Sequence, residues 1–108
     1  MSTDTYYDPN RRRLTIKVIG RFDFGEVRLF NNAINLITLK MKSIVIDLHN
    51  THYMDSSALG MLLVLRKKTM NYQQSVKINK VKQPLIKTLS DAKFDKLFTI
   101  EVCSLLEF

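Results

Sequence analysis

Short apolar segments, most of them with a two-residue repeat, predict four strands in this chain. In residues 14–18 every second side chain is apolar, so one face of that strand is expected to be buried. Residues 43–48 are almost continuously apolar and β-branched, which is typical of a strand covered on both faces. The other two predicted strands lie at residues 76–79 and 99–102.

A repeat of three to four residues predicts helices between these strands. A helix from about residue 56 to about residue 72 begins with turns that are apolar almost all round. Because a helix on one side of a sheet buries only one face, we expect part of this apolar surface to be available to a partner. Pro84 suits the first turn of a later helix. An earlier helix is predicted from an apolar stripe formed by Val27, Phe30, Ile34, Ile37 and Met41.

The order of the predicted elements indicates the fold class. A turn signal at Asp8, Pro9 and Asn10 follows a short strand around Tyr6 and predicts an opening hairpin. Helix and strand then alternate, as in an α/β domain with right-handed crossovers. We expect a single domain over residues 1–108, because a chain of this length can bury a core without disulfides or metals.

Composition narrows the classes of function. The net charge of +7 would suit an acidic partner or a nucleic acid. The cations are dispersed, however, and the basic runs at residues 11–13 and 66–68 contain no aromatic side chains, so nucleic-acid binding is not favoured. Cys103 is the single cysteine, which excludes an internal disulfide and fits a reducing compartment. Without a signal-peptide core, or an apolar run near the about 20 residues that span a bilayer, the chain is expected to be cytoplasmic and not membrane-bound.

The candidate chemistry lies where the apolar helix begins. Asp55, Ser56 and Ser57 follow a short polar loop and precede the apolar turns. Because Asp and Ser oxygens accept the unpaired N–H groups of a first turn, one interpretation is that these residues only cap the helix. A hydroxyl at a rigid helix end is also expected to be open to solvent, which makes it a candidate for phosphorylation. A phosphate would add about −1.5 to −2 charges there.

Other chemistries match the same region less well. His49 and His52 with Asp47 and Asp55 are too few and too loosely spaced for a specific metal site, so we expect no metal and no cofactor. Ser56 lacks the G-x-S-x-G turn of a hydrolase, and we expect no enzymatic activity. Asp47, at the end of its strand, leaves open a receiver-like phosphoacceptor. That domain also needs an acidic cluster after its first strand, where this chain has a glycine and an arginine.

One segment of the sequence is similar to a known family. Residues 44–48, followed by the sequence YMDSSALG at residues 53–60, resemble the STAS family, the sulfate-transporter and anti-sigma-factor-antagonist domains. The family pattern is an apolar strand, a short loop, then Asp-Ser-(Ser/Thr)-Gly-(Leu/Ile)-Gly opening a helix. Residues 20–23 resemble the end of an early family strand, and the likeness extends over residues 5–103. It implies the STAS fold, an α/β domain with a mixed sheet of four to five strands and helices packed on it.

The resemblance implies a signalling protein that switches partners. Such domains bind an anti-sigma factor or a related serine kinase while a serine is free, release it on phosphorylation, and bind again after a phosphatase acts. The family's acceptor follows the aspartate and corresponds to Ser56, with Ser57 as the second candidate. Transcription, or biofilm and exopolysaccharide output, is the kind of process regulated. The alternative is a constitutive STAS binding module. The implied partner-binding residues are Asp23, Phe24, Gly25, Asp55, Ser56, Ser57, Leu59, Gly60, Met61 and Leu62.

Three positions depart from the family pattern. Ala58 replaces the first glycine of the motif, and we expect its methyl group to add bulk near Ser56. Gln73 and Gln74 stand where a glycine-containing turn is common, which leaves the end of the helix open. Because the sequence ends at Phe108, the family's C-terminal helix is expected to be short or missing.

Overall fold

The computed structural model describes residues 2–103, so the expectation for a C-terminal helix lies largely outside the described residues. Two 3₁₀ turns, at Phe24–Glu26 and Phe94–Lys96, accompany the regular elements. The strands and α-helices, in chain order, are β1 (Ser2–Asp8), β2 (Arg13–Phe22), α1 (Val27–Asn35), β3 (Ser43–Asp47), β4 (Thr51–Met54), α2 (Ser56–Asn71), β5 (Ser75–Val81), α3 (Leu85–Asp91) and β6 (Thr99–Val102).

The strands form one mixed sheet, which confirms the predicted architecture. Its order in the described residues is β1-β2-β3-β5-β6, and among these strand pairs only the β1–β2 hairpin is antiparallel. The short strand β4 pairs in parallel with the end of β2. The sequence pattern missed β4, because Thr51, His52 and Tyr53 do not form an apolar run and were assigned to a polar loop. The described sheet therefore has six strands rather than four to five.

Within residues 2–103, the helices α1, α2 and α3 pack on the same face of the sheet. The connections from β2 to β3, from β3 to β5 and from β5 to β6 step in one direction, so right-handed crossovers put α1, α2 and α3 on one side. The Lys68 ammonium group on α2 donates to the Ile34 carbonyl on α1 at 2.8 Å, which joins two of these helices. The core beneath them includes the fully buried side chains of Ile16, Phe22, Phe30, Ile46, Leu62 and Leu65.

The first helix is shorter than the apolar stripe predicted. It ends at Asn35, although Ile37 is still buried and Met41 still packs against the core. The Thr38 hydroxyl accepts the N–H of Lys40, a local side-chain bond that competes with helical hydrogen bonding. The apolar period therefore identified the buried residues correctly but placed the end of the helix too late.

The end of α2 is a Schellman turn without glycine. The Gln74 N–H donates to the Thr69 carbonyl at 2.9 Å, and the Gln73 N–H donates to the Met70 carbonyl at 3.1 Å. These are the two hydrogen bonds of that motif, which needs a left-handed residue directly after the cap. Gln73 supplies it with a φ of 57°. The structure thus places the helix end that the sequence left open.

Replacing Gln73 by glycine should stabilise the protein. A left-handed conformation costs a residue with a side chain about 1–2 kcal/mol, whereas the greater freedom of glycine in the unfolded chain takes back about 0.4–1 kcal/mol. We expect Gln73→Gly to raise the free energy of unfolding by about 0.5–1 kcal/mol in urea denaturation. Gln73→Ala, which keeps a Cβ atom, is the matched control and should give no gain. Equal stabilisation by both variants would contradict this explanation.

Candidate functional site

The parallel pairing of β2 with β4 brings two predicted loops to one edge of the sheet. Phe22 lies opposite Met54 in the register, so Asp23 and Asp55 follow the two strands side by side. Asp23 accepts the Gly25 N–H at 3.0 Å and caps the Phe24–Glu26 turn that leads into α1. Asp55 accepts the Ala58 N–H at 3.2 Å and caps α2. Two helices therefore begin at this edge.

Ser56 does not cap α2. Asp55, and not a serine, provides the side-chain cap of α2. Ser56 is the first helical residue and is exposed, as the sequence predicted, and its hydroxyl has no hydrogen-bond partner within residues 2–103. Ser57 is only partly exposed. Ala58 is buried, so its methyl group faces the core and does not add the expected bulk on the side where Ser56 lies.

The outward side of α2 carries a continuous set of exposed residues. Leu63 is 44% exposed and Val64 is 55% exposed, although both are aliphatic. Leu63 and Val64 follow Ser56 by seven and eight residues, which is about two helical turns. They therefore lie on the same face of α2 as Ser56. We call this set the α2 outer face; it consists of Ser56, Gly60, Leu63, Val64 and Lys67.

Two residues predicted to bind a partner belong to the core instead. Met61 is 5% exposed and Leu62 is 0% exposed, because both point toward the sheet. Leu59 is partly buried and packs against the core cluster. The apolar opening of α2 thus divides by helical period, and the exposed aliphatic residues Leu63 and Val64 come two residues after Met61 and Leu62. The prediction of Met61 and Leu62 as surface residues was wrong, since the apolar run alone does not show which side faces the sheet.

Aromatic and basic side chains extend the exposed surface beside α2. Phe24, a predicted partner-binding residue, is 74% exposed. The Arg21 guanidinium carbon lies 3.9 Å from the centre of the Tyr53 ring, and its Nε is 3.1 Å from the Asp23 carboxylate. The sequence did not indicate Arg21 and Tyr53 because their proximity depends on the unpredicted strand β4. Arg21 on β2 and Tyr53 on β4 are register partners in the β2–β4 pair.

A buried carboxylate anchors the loop that carries Phe24. Glu26 is almost fully buried at the start of α1, and its Oε2 accepts the Thr3 hydroxyl hydrogen bond at 2.6 Å. Thr3 belongs to the edge strand β1. This bond ties the entry of α1 to the sheet and so limits where Phe24 and Gly25 can move.

The polar loop before β4 gives no support to a metal or receiver site. Within residues 2–103 no cluster of three or more His, Cys, Asp or Glu side chains could hold a metal ion. The Asp47 carboxylate accepts the backbone N–H of His49 at 2.9 Å and so closes a turn. A receiver domain has a parallel sheet with strand order 2-1-3-4-5. The antiparallel β1 and the order found here therefore contradict the receiver-like alternative at Asp47. Over the same residues, no helix is both long and apolar enough to cross a membrane.

Solved structures share this architecture. An anti-sigma factor antagonist from Mycobacterium paratuberculosis superposes with a TM-score of 0.78 at 18% identity, covering 96% of this chain and 88% of that chain. The anti-sigma factor antagonist SpoIIAA in its unphosphorylated form gives a TM-score of 0.71 at 15% identity, covering 98% of this chain and 92% of that one. At these identities the similarity establishes the fold.

Sequence comparison identifies the family. The STAS domain model matches residues 5–104. A STAS-domain-containing protein of Pseudomonas aeruginosa is 37% identical over 89 residues, which is 82% of this chain and 88% of that protein. The family pattern at Asp55–Gly60, the mixed sheet and these matches agree, and the chain belongs to the STAS domain family.

Proposed function

We propose that this protein is a non-enzymatic partner-switching regulator controlled by phosphorylation of Ser56. The observation that carries the proposal is an exposed hydroxyl with no structural partner in the described residues, at the first position of an otherwise well-packed helix. On the same face of this helix, two turns after Ser56, Leu63 and Val64 form an exposed aliphatic surface. A modifiable group and a docking surface thus share one helical face.

The proposed docking surface follows the exposed residues rather than the apolar run. It combines the loop at Asp23, Phe24 and Gly25 with the α2 outer face and the half-exposed ring of Tyr53. Asp55 and Ser57 border this surface, and Leu59 contributes at most its exposed edge. The proposed occupant is an anti-sigma-type protein or related serine kinase, with a phosphatase to reverse the modification.

A phosphate on Ser56 should disturb the complex more than the fold. The first turn of a helix offers unpaired N–H groups and the positive end of the helix dipole, which accommodate an anion. A partner seated on Gly60 and Val64 would instead have to desolvate about two negative charges beside the Asp55 carboxylate. A loss of about 3 kcal/mol at the interface lowers affinity more than a hundredfold, which is sufficient for a switch.

Charge at Ser56 should release the partner. We expect Ser56→Asp to lose a protein that wild type and Ser56→Ala both retain in a pull-down quantified by mass spectrometry. Ser90→Asp is the matched control, because Ser90 is an exposed helical serine on α3 and is not one of the proposed docking residues. Equal recovery with Ser56→Asp and wild type would rule out release by charge at this position.

Stability measurements separate the switch from a serine that only caps the helix. Asp55→Ala should lower the free energy of unfolding by about 1 kcal/mol, because it removes the cap of α2. Ser56→Ala should change it by less than about 0.5 kcal/mol, as for surface substitutions outside such features. If Ser56→Ala destabilised the protein as much as Asp55→Ala, Ser56 would have the structural role that the constitutive binding module assigns to it.

Gly60 allows stability and binding to be tested separately. A Cβ atom added at Gly60 would have no neighbour within 4 Å, so nothing in the fold requires glycine there. Gly60→Ala should raise the free energy of unfolding by about 1 kcal/mol, the difference in helix propensity. The same methyl group should weaken capture of the partner recovered with wild type, because it stands on the proposed docking surface. Unchanged capture would remove Gly60 from that surface.

A further inference from the structure

A concave site lies at the opposite end of α2 from Ser56. A pocket of about 390 Å³ opens between the last turns of α2 and the starts of β5 and β6. Since α2 has 16 residues, its two ends are about 24 Å apart. The pocket is therefore distant from Ser56 and the proposed phosphorylation does not involve it, although the α2 outer face extends to Lys67, next to Arg66. Its walls include Arg66, Met70, Gln74, Lys96, Leu97 and Phe98.

The charged groups around this pocket are all cations. Arg66 and Lys96 line it, whereas no Asp or Glu does, and neither cation has an ion-pair partner within residues 2–103. Arg66 is also held in place, because its Nε donates to the Leu97 carbonyl at 3.3 Å. The remaining guanidinium N–H groups can donate to an anion. The electrostatics of the pocket therefore favour a negatively charged ligand.

Hydrogen bonding at the end of α2 reduces the repulsion that the helix dipole would otherwise exert on an anion. Carbonyl groups at a helix C-terminus ordinarily repel negative charge. Here the Thr69 and Met70 carbonyls are occupied by the Schellman bonds from Gln74 and Gln73. These two carbonyl groups are therefore not free to repel an anion, and the positive charges of Arg66 and Lys96 determine the local electrostatics of the pocket.

Gln74 forms a fixed part of the pocket wall. Its Nε2 donates to the Thr38 carbonyl at 2.7 Å and to the Met41 carbonyl at 2.9 Å, which fixes the orientation of the amide. The Oε1 atom is buried and has no hydrogen-bond partner. Because this atom is closed to solvent, we assign Gln74 a role in shaping the pocket wall and no direct contact with a ligand.

The remaining wall is apolar, and the volume suits a small molecule. Met70, Val76, Leu97 and Phe98 contribute hydrophobic side chains to the lining. A volume of about 390 Å³ lies within the usual range of about 300–1,000 Å³ for small-molecule sites. We propose that this pocket binds a small organic anion, with its acidic group between Arg66 and Lys96 and its apolar body against Leu97 and Phe98.

Nuclear magnetic resonance titration with phenyl phosphate tests this proposal on the intact protein. Phenyl phosphate carries both features, and inorganic phosphate and phenol carry one each. We expect saturable amide shifts at Ser75, Val76 and Leu97–Thr99, with affinity at least roughly tenfold above that of either half. The spectrum of each variant also reports whether it is folded.

Two charge-matched double variants decide whether the pocket is responsible. Arg66→Gln/Lys96→Gln should weaken phenyl phosphate binding at least roughly tenfold. Arg28→Gln/Lys82→Gln removes the same charge from exposed positions that neither line the pocket nor belong to the α2 outer face, and should leave binding unchanged. The proposal is overturned if the shifts do not saturate, if both double variants weaken binding equally, or if the shifts centre on Ser56–Ala58 instead.

Discussion

The pairing of β2 with β4 is the constraint on which the candidate site depends. Because Phe22 and Met54 are register partners in parallel strands, the residues that follow them leave the sheet together. Both are aspartates, and each caps the helical turn that begins there. The site is thus made by backbone pairing and two carboxylate caps, with the Ser56 hydroxyl left at the surface. The Arg21–Tyr53 contact adds a second link across the same strand pair.

One-sided packing of α2 explains how a helix with mostly apolar opening turns contributes to both the core and the surface. The sheet takes one face of the helix, so Leu62 and Leu65 are buried while Leu63 and Val64 stay exposed. An aliphatic surface without a structural role is unusual enough in a small domain to indicate binding. The same helix joins this surface to a basic pocket at its other end, which gives the domain two candidate sites with different chemistry.

Much of the fold follows from apolar periodicity, whereas the site depends on contacts between distant segments. The buried strand β3, the start of α2 and the last strand agree closely with their sequence patterns because each pattern is local. The sequence did not predict strand β4, because that strand is short and lacks an apolar run. The contact of Tyr53 with Arg21 depends on β4 and was therefore not predicted either. Met61 was placed on the surface because the direction of the sheet is not encoded in an apolar run. Gln73 adopts a conformation that its residue type disfavours.

The central claim is that one phosphate at the start of α2 changes binding and leaves the domain folded. The most direct measurement uses protein carrying phosphoserine at position 56, with affinity for the recovered partner and amide spectra determined on the same sample. We expect a loss of affinity of more than roughly a hundredfold, with spectral changes confined to the first turn of α2 and its neighbours. Unchanged affinity, or loss of the folded spectrum on phosphorylation, would contradict it.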